Sequence, residues 1–459
     1  MTLGIILLLI AGAVGIILTK KYKEITLLAL GVGIVLSIIS LLGDISSNGN
    51  ILTSAFVFFF LLIGLLVMWE SFSLIGKDLE DSLVPVYYTI VLVLLASLCG
   101  IIYFDNLLVL YFTLEISAFL SAGLVIIKKS ERSRRAGMKY LFLSLLASVF
   151  FLIGIVITYR LTGSLSINNM DVSSVKGGNE DLIGTSLLFI FIGLAFKSAL
   201  FPFHLWLPDA HGNATSSASA MLSGVVLKSY IILFIKLIYI SFGIELVKEY
   251  NILNISLTLG TIAMIYGSLL AIMQEDIKYR IAYSSVAQIG YIFMGLGLGN
   301  EMGLIAALFH IIAHGVTKST LFLAAGNIIT KKGIRNPREM NGMAKALPFT
   351  MIIYTIGALS MVGIPLFVGF MSKWNFAQGI MEYESIVLLV VLTLSSILNG
   401  IYFMPLVIRG YLMKEIREFT QMEFDLSPPF VLLASLIIIT GVLSAPILNV
   451  LQIITGSFY

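Results

Sequence analysis

The sequence predicts an all-α polytopic membrane protein with about fourteen transmembrane helices. Of its 459 residues, 59% are hydrophobic and only 12% are charged, whereas soluble domains carry about 25% charged residues. Apolar runs of roughly 17 to 25 residues, the length that crosses a bilayer as a helix, recur along the whole chain. A membrane β-barrel would show short segments of alternating polarity instead.

Fourteen apolar segments are predicted to be spans and are numbered in chain order. They lie near residues 3–19, 24–43, 51–70, 85–104, 106–127, 137–159, 182–201, 215–240, 252–273, 280–299, 302–329, 348–372, 383–411 and 429–453. The segment between spans 3 and 4, ESFSLIGKDLEDSLVP, leaves room for an interfacial turn. No basic segment or evident cleavage site accompanies span 1, so we expect this span to be retained.

Lysine and arginine in the short loops predict the orientation. KKSERSRRAGMK follows span 5, KKGIRNPREMNGMAKA follows span 11, and three lysines follow span 1. Loops after even-numbered spans, such as GDISSNGN, are neutral or acidic. Because cytoplasmic loops are enriched in lysine and arginine, both termini are predicted to lie on the extracytoplasmic side of a prokaryotic plasma membrane.

The functional signal is a set of ionisable residues at membrane depth, where such residues are costly and usually mark ion paths or buried pairs. The set comprises Glu115 in span 5, Lys197 in span 7, Lys228 in span 8, His310, His314 and Lys318 in span 11, and Lys373 in span 12. The spacing of four in span 11 places its three side chains on one helix face. Lysines outnumber acids, so simple pairing leaves some lysines without a carboxylate.

Simpler explanations exist for single members of this set. Lys236, near the end of span 8, is predicted to extend its ammonium group to the membrane interface, and Lys373 could do the same. His310 and His314 could make ordinary hydrogen bonds between helices. A zinc site needs further ligands, and no carboxylate or thiolate lies near the two histidines in the sequence.

Taken together, the set fits a proton relay. Burial favours the neutral form of a lysine and a nearby carboxylate favours the charged form, so a lysine gains or loses a proton as its neighbours change. Histidine titrates near neutrality and carries a proton on either ring nitrogen. A transporter of organic solutes is a weaker alternative, since aromatic and amide groups would be expected to converge on its site. A structural subunit whose charges only hold helices together is another alternative.

Two spans are predicted to be interrupted beside a lysine. Pro202 follows Lys197, and proline removes a backbone donor and clashes with the preceding helical turn. Pro365 precedes Lys373 in span 12. Backbone groups freed at membrane depth need water or polar partners, so irregular backbone there lines a cavity. Paired interruptions are typical of inverted-repeat transporters, although the order of lysine and proline is reversed between these two spans.

Five long stretches carry a family resemblance. They are NLLVLYFTLEISAFL, GMKYLFLSLLASVF, FKSALFPFHLWLPDAH, AIMQEDIKYRIAYSSVAQIGYIFMGL and FHIIAHGVTKSTLFLAAG. They resemble the antiporter-like membrane subunits shared by respiratory complex I, Mrp-type sodium/proton antiporters and membrane-bound hydrogenases, over about residues 85–400. HGNATSSASA, at 211–220, departs from the family, which usually has prolines there. The lysine in span 8 resembles the Mrp and hydrogenase branch.

The resemblance implies an architecture. Two inverted five-helix repeats would occupy 85–240 and 241–411, with N-terminal spans in 1–84 and a C-terminal span in 412–459. Spans 7 and 12 would be the broken helices of the two repeats. Because the chain ends soon after span 14, we expect one of the shorter family types.

The resemblance also implies roles for the ionisable residues. Glu115 and Lys197 would form the ion pair of the first half-channel, and Lys228 would connect it to the centre. The span 11 residues would continue the relay, and Lys373 would open to the far side. Sister antiporter-like subunits and small membrane subunits are the implied partners, with a peripheral redox arm as a further one.

No cofactor or metal site is predicted in this chain. The sequence lacks CxxC, P-loop and GxGxxG stretches, and the single cysteine, Cys99, is interpreted as a packed residue. The lipid bilayer is an expected partner and nucleic acid is not. We therefore expect a proton- or cation-translocating subunit of an ion-pumping respiratory complex, with redox chemistry in other subunits. The alternative is an Mrp-type antiporter subunit without redox partners.

Overall fold

A computed structural model describes residues 2–47, 49–170, 172, 180–414, 423–456 and 458. Helices α1 to α10 are Thr2–Thr19, Tyr22–Ser47, Ile51–Asp78, Val84–Tyr103, Leu107–Ile126, Glu131–Thr162, Glu180–Lys197, Leu207–Asn213, Ser216–Met221 and Leu227–Lys236. Helices α11 to α20 are Ile244–Glu249, Ile252–Ile272, Ile277–Gly297, Glu301–Lys332, Met343–Ala346, Pro348–Val362, Val368–Glu382, Ile386–Leu412, Pro428–Val442 and Ala445–Thr455. The described part of the chain contains no β-strand, which confirms the all-α prediction.

Each of the fourteen predicted spans coincides with a helix or a helix pair. Within the described residues, ten helical segments are long and apolar enough to cross a membrane, and the bent pair α19–α20 would make an eleventh. The remaining predicted spans, 7, 10 and 12, coincide with α7, α13 and the pair α16–α17. The turn expected between spans 3 and 4 occupies residues 79–83, because α3 continues to Asp78.

The helix breaks follow the glycine and proline positions. Helix α7 ends at Lys197, before Pro202, and α16 ends at Val362, before Pro365, as predicted. Between α16 and α17, Gly363 has a φ of 92°, a left-handed conformation that glycine adopts without steric cost. A third break, at an angle of 71° between α19 and α20, was not predicted. The division into inverted repeats stays a prediction.

Helix α14 is the centre of the bundle. In the most apolar 18-residue segment of α14, 94% of the residues are buried. In the corresponding segment of the peripheral helix α18, 33% are buried. Helices α3, α9, α13, α16, α17 and α19 all contact α14. The face that carries the two histidines and the lysine of α14 is therefore enclosed by protein on all sides.

Ion pairs join the odd-numbered loops to one another. The basic loops after spans 5 and 11 supply the pairs Lys128–Asp78 (3.0 Å), Lys139–Asp209 (2.6 Å), Arg335–Asp276 (2.6 Å) and Lys332–Glu423 (2.6 Å). The Lys332 hydrogen bond holds the pKa of Glu423 below its usual value. These loops therefore share one side of the molecule, here named the basic face.

Cysteine labelling tests this arrangement. Arg132→Cys and Arg338→Cys, both exposed on the basic face, should react with a membrane-impermeant maleimide from the same side of sealed vesicles. Glu245→Cys, whose native side chain is 86% exposed in an even-numbered loop, should react from the other side. The native chain is the control, because Cys99 is buried. Labelling of the first two variants from opposite sides would contradict the fold.

Candidate functional site

Glu115 and Lys197 form a buried ion pair between α5 and α7. The Lys197 ammonium donates to the Glu115 carboxylate at 3.2 Å and to the Ser144 hydroxyl at 2.7 Å. Ser148, one turn further along α6, also donates to Glu115. Only 1% of the Lys197 side chain is exposed, against 14% of the Glu115 side chain. The pair predicted by family resemblance is thus present, and its carboxylate lies closer to the outer surface.

The break after α7 places Lys197 at the end of a half-helix. The last carbonyl groups of a helix lack partners from the next turn, and the indole N–H of Trp206 donates to one of them, that of Phe196, at 3.0 Å. Negative partial charge collects at such a helix end and stabilises a cation there. The lysine therefore has two sources of stabilisation, the carboxylate and the helix terminus.

Hydroxyl groups lie between this pair and α10. The Ser117 hydroxyl, on the helix that carries Glu115, hydrogen-bonds to the Tyr230 hydroxyl at 2.9 Å. Tyr230 is two residues from Lys228, and Tyr140 on α6 interacts electrostatically with both Tyr230 and Glu115. The sequence does not distinguish these residues, because serine and tyrosine are common in apolar helices.

Lys228 lies in a locally widened helix. A π-helical segment, Leu222–Val226, separates α9 from α10, and π-turns occur frequently at functional sites. The fully buried Lys228 ammonium donates to the Ser223 carbonyl oxygen in this segment. The π-helical segment next to Lys228 packs closely against α14. A Cβ atom added at Gly315 of α14 would lie only 2.9 Å from the Gly224 carbonyl oxygen.

The three ionisable residues of α14 share one buried face, as their spacing predicts. The imidazole rings of His310 and His314 are nearly parallel, with centroids 5.8 Å apart. His310 Nδ1 lies 2.6 Å from the Ser372 hydroxyl. Lys318 donates to the Ser284 hydroxyl and, at 3.0 Å, to the Ile281 carbonyl oxygen. Oxygen atoms of neutral groups therefore bind the Lys318 ammonium.

A small polar cavity joins the histidines to Lys373. Its volume is about 10 Å³, and its lining includes His310, His314, Thr317, Ser360 and Lys373. This volume is near the lower limit for one water molecule. One water there would find hydroxyl and imidazole partners, so a proton could cross between α14 and α17 by a short bridge.

Lys373 binds the broken end of α16. Its ammonium donates to the carbonyl oxygens of Met361 and Val362 at 3.0 and 2.8 Å. Asn399 donates to the same Met361 oxygen at 3.1 Å. The helix break therefore leaves backbone carbonyl oxygens free to bind the Lys373 ammonium, as a carboxylate would. The Lys373 side chain points toward these oxygens. The alternative in which Lys373 extends to the interface is wrong.

The prediction for Lys236 is also wrong. Its side chain is only 1% exposed, and it pairs with Asp105 at 3.2 Å. It also donates to the Ile102 carbonyl oxygen at 2.7 Å. This lysine is a buried cap of the α4 C-terminus, since the carbonyl groups there and the Asp105 carboxylate bind its ammonium group.

The sequence pattern did not indicate several further buried ionisable residues, and Glu70, Lys278 and His211 are three of them. Glu70, 3% exposed on α3, accepts a hydrogen bond from Ser427. Lys278, 2% exposed, donates to the Ala214 carbonyl oxygen at 2.5 Å. His211 is completely buried on α8. All three lie near predicted span ends, where sequence patterns do not distinguish a buried side chain from a solvated one.

The described residues contain no group of three or more His, Cys, Asp or Glu side chains arranged to hold a metal ion. The chemistry that the observed arrangement supports is proton or cation transfer along α5, α7, α10, α14 and α17. These features define the class: a polytopic membrane protein with a line of titratable side chains in its interior.

Comparison with known proteins identifies the family. The chain belongs to the NADH:quinone oxidoreductase/Mrp antiporter transmembrane family, whose pattern matches residues 105–399. It is 35% identical, over 327 residues, to the NADH-quinone oxidoreductase subunit N of Desulforudis audaxviator. That match covers 71% of this chain and 65% of the relative, so the chain spans slightly less than two thirds of the relative's length.

Solved structures share the fold. A chain of an Mrp complex from a Dietzia species superposes with a TM-score of 0.87 at 20% identity, covering 100% of this chain and 97% of that chain. A chain of the membrane-bound sulfane sulfur reductase, an archaeal respiratory membrane complex, gives the same TM-score at 23% identity, with the same coverage. These matches confirm the fold class predicted from the sequence.

The buried ion pair gives a stability prediction. Lys197→Met leaves the Glu115 carboxylate without its cation, and breaking a buried pair typically costs about 3–5 kcal/mol. The double variant Lys197→Met/Glu115→Gln removes both charges and should be more stable than Lys197→Met alone. Thermal unfolding of the detergent-purified protein with its partners measures this difference. Equal midpoints for the two variants would show that the pair does not stabilise the fold.

Proposed function

We propose that this chain is the proton- or cation-translocating membrane subunit of a multisubunit ion-pumping complex. The observation that carries the proposal is the line of buried side chains from Glu115 through Lys197, Lys228, His310, His314 and Lys318 to Lys373. Its only carboxylate is at the first position, and the later lysines have neutral oxygen partners. Buried ionisable groups that are not neutralised in pairs are expected in an ion path.

The ion pair at the first position is the switch. When a neighbouring charge draws Glu115 away, Lys197 loses the partner that favours its charged form and releases its proton toward Lys228. The proton passes through the α14 residues to Lys373 and leaves on the far side. Moving one charge against 100 mV requires about 2.3 kcal/mol. Losing a charge partner in a low-dielectric site changes proton affinity by roughly 1.4–4 kcal/mol, which is sufficient.

The outer surface beside Glu115 is where a partner subunit would act. Phe112, Ile116 and Phe119 on the same helix are 63%, 48% and 53% exposed. A partly exposed carboxylate facing lipid tails is costly, so protein contact at this surface would shield it. We infer that a sister antiporter-like or small membrane subunit packs here. A peripheral redox arm would be further away, in contact with other subunits.

The basic face is inferred to be cytoplasmic. Its loops carry the lysine and arginine clusters after spans 1, 5 and 11, and such clusters are retained on the cytoplasmic side. With fourteen spans, both termini would then lie on the extracytoplasmic side of a prokaryotic plasma membrane.

Ion flux in the intact complex tests the proposed function. Lys197→Ala should abolish ion translocation by the complex in vesicles, because no other cation in the described residues contacts Glu115 within 4.0 Å. Lys248→Ala is the matched control, since Lys248 is 45% exposed and lies outside the line. Assembly is checked by native electrophoresis. Full pumping by an assembled Lys197→Ala complex would remove the ion pair from the path.

A second candidate is an Mrp-type antiporter subunit that works without redox partners. The fold match to a chain of an Mrp complex, at the same TM-score as the respiratory match, favours keeping it. The complex co-purified through this chain distinguishes the two. Stoichiometric iron and acid-labile sulfide indicate a redox complex, and their absence from an active, fully assembled complex indicates an antiporter.

A further inference from the structure

His211 lies where the α14 line approaches the basic face. His310, His314 and Lys318 are spaced by four, and the next position in that row is Phe322. Four residues advance a helix by about 6 Å, and α14 runs toward the basic face, where Lys332 ends it. Phe322 cannot carry a proton, but the His211 ring of α8 packs against it with centroids 5.4 Å apart.

The His211 imidazole is completely buried and has free nitrogen atoms. Its exposure is 0%, and neither ring nitrogen has a hydrogen-bond partner among the described residues. A buried polar group without a partner is destabilising and requires an explanation. The charges of Lys228 and Lys318 act on this ring, and His211 in turn interacts with His314. The ring is therefore electrostatically coupled to the centre of the line.

The residues next to His211 connect it to the surface. Lys278 interacts with the ring and donates to the Ala214 carbonyl oxygen, three residues after His211. Arg335 donates to the Gly212 carbonyl oxygen at 3.0 Å and pairs with Asp276. Arg335 and Asp276 are 40% and 26% exposed. A partly exposed ion pair on the basic face is thus hydrogen-bonded to the backbone of the residue next to His211.

We propose that His211 is a branch of the relay, through which protons pass between the basic face and the Lys228–Lys318 centre. The proposal rests on the proposed function, since it assigns an additional residue to the same path. One ring nitrogen accepts a proton from the Lys278 side, and the other nitrogen gives up its own proton to a deprotonated amine of Lys228 or Lys318. Ring reorientation or tautomer exchange then restores the starting state, and no other bond is made or broken.

The chain contains a matched control histidine. His204 is also buried, at 3% exposure, and follows the same helix break. It stacks on Phe201 and makes an edge-to-face contact with Tyr266, instead of packing on α14. The cation that acts on it is Lys139, in the basic loop after span 5. If any buried histidine near this break were required, substitution of either His204 or His211 would slow ion translocation. If His211 is part of the relay, only its own substitution does so.

Substitution in the intact, reconstituted complex tests this proposal. His211→Gln should lower the rate of ion translocation roughly 100-fold, the lower end of a typical contribution from a proton-transfer group, while His204→Gln keeps the native rate. His211→Phe retains the ring packing on Phe322 and should be equally slow. If the complex with His211→Gln fails to assemble, the ion-translocation rate of the complex with His211→Phe tests the proposal instead.

Chemical rescue separates proton transfer from packing. Imidazole added on the basic side should raise the rate of His211→Ala, because it can occupy the space of the missing ring, and should leave His204→Ala unchanged. The proposal is overturned if assembled His211→Phe pumps at the native rate while Lys197→Ala does not. If Lys197→Ala also pumps normally, the proposed function itself fails. The two failures are therefore distinguishable.

Discussion

Each buried ammonium group needs oxygen atoms that accept its hydrogen bonds, and this need determines where lysines lie in the structure. An intact helix uses its backbone carbonyl groups internally, so acceptors for a lysine become available where a helix is interrupted or widened. Lys373 uses the carbonyl groups at the end of α16, and Lys228 uses one in a π-helical segment. Lys197 lies at a broken end and adds a carboxylate. Helix breaks and buried lysines therefore occur together, because the breaks supply the carbonyl oxygens that the ammonium groups need.

The kind of partner determines how easily each lysine changes its charge. Transferring an ion into the protein interior costs several kcal/mol, and a hydrogen bond to a charged group returns about 1.5–3 kcal/mol. Two neutral acceptors therefore offset part of the cost of burying a charged lysine. Within the proposed line, only Lys197 pairs with a carboxylate, so the electrostatic state of Glu115 is suited to control the others.

Because α14 lies at the centre of the bundle, its ionisable residues connect those of the surrounding helices in one line. Helices α9 and α17 contact opposite parts of α14, and one face of it carries two imidazoles and an amine. At the end of that face the row passes to His211 of α8. The two helices on either side of one break, α7 and α8, thus supply Lys197 and His211.

Sequence alone determined the fold class, the shared side of the odd-numbered loops, two helix breaks and the location of the seven selected residues within spans, because hydrophobic length, charge and proline act locally. It failed for Lys236, Glu70, Lys278 and His211, which lie near span ends. The burial of such residues depends on which neighbouring helix covers them. The bend between α19 and α20 also escaped detection. Only tertiary packing decided which carbonyl oxygen each lysine reaches, since those partners are far apart in the sequence.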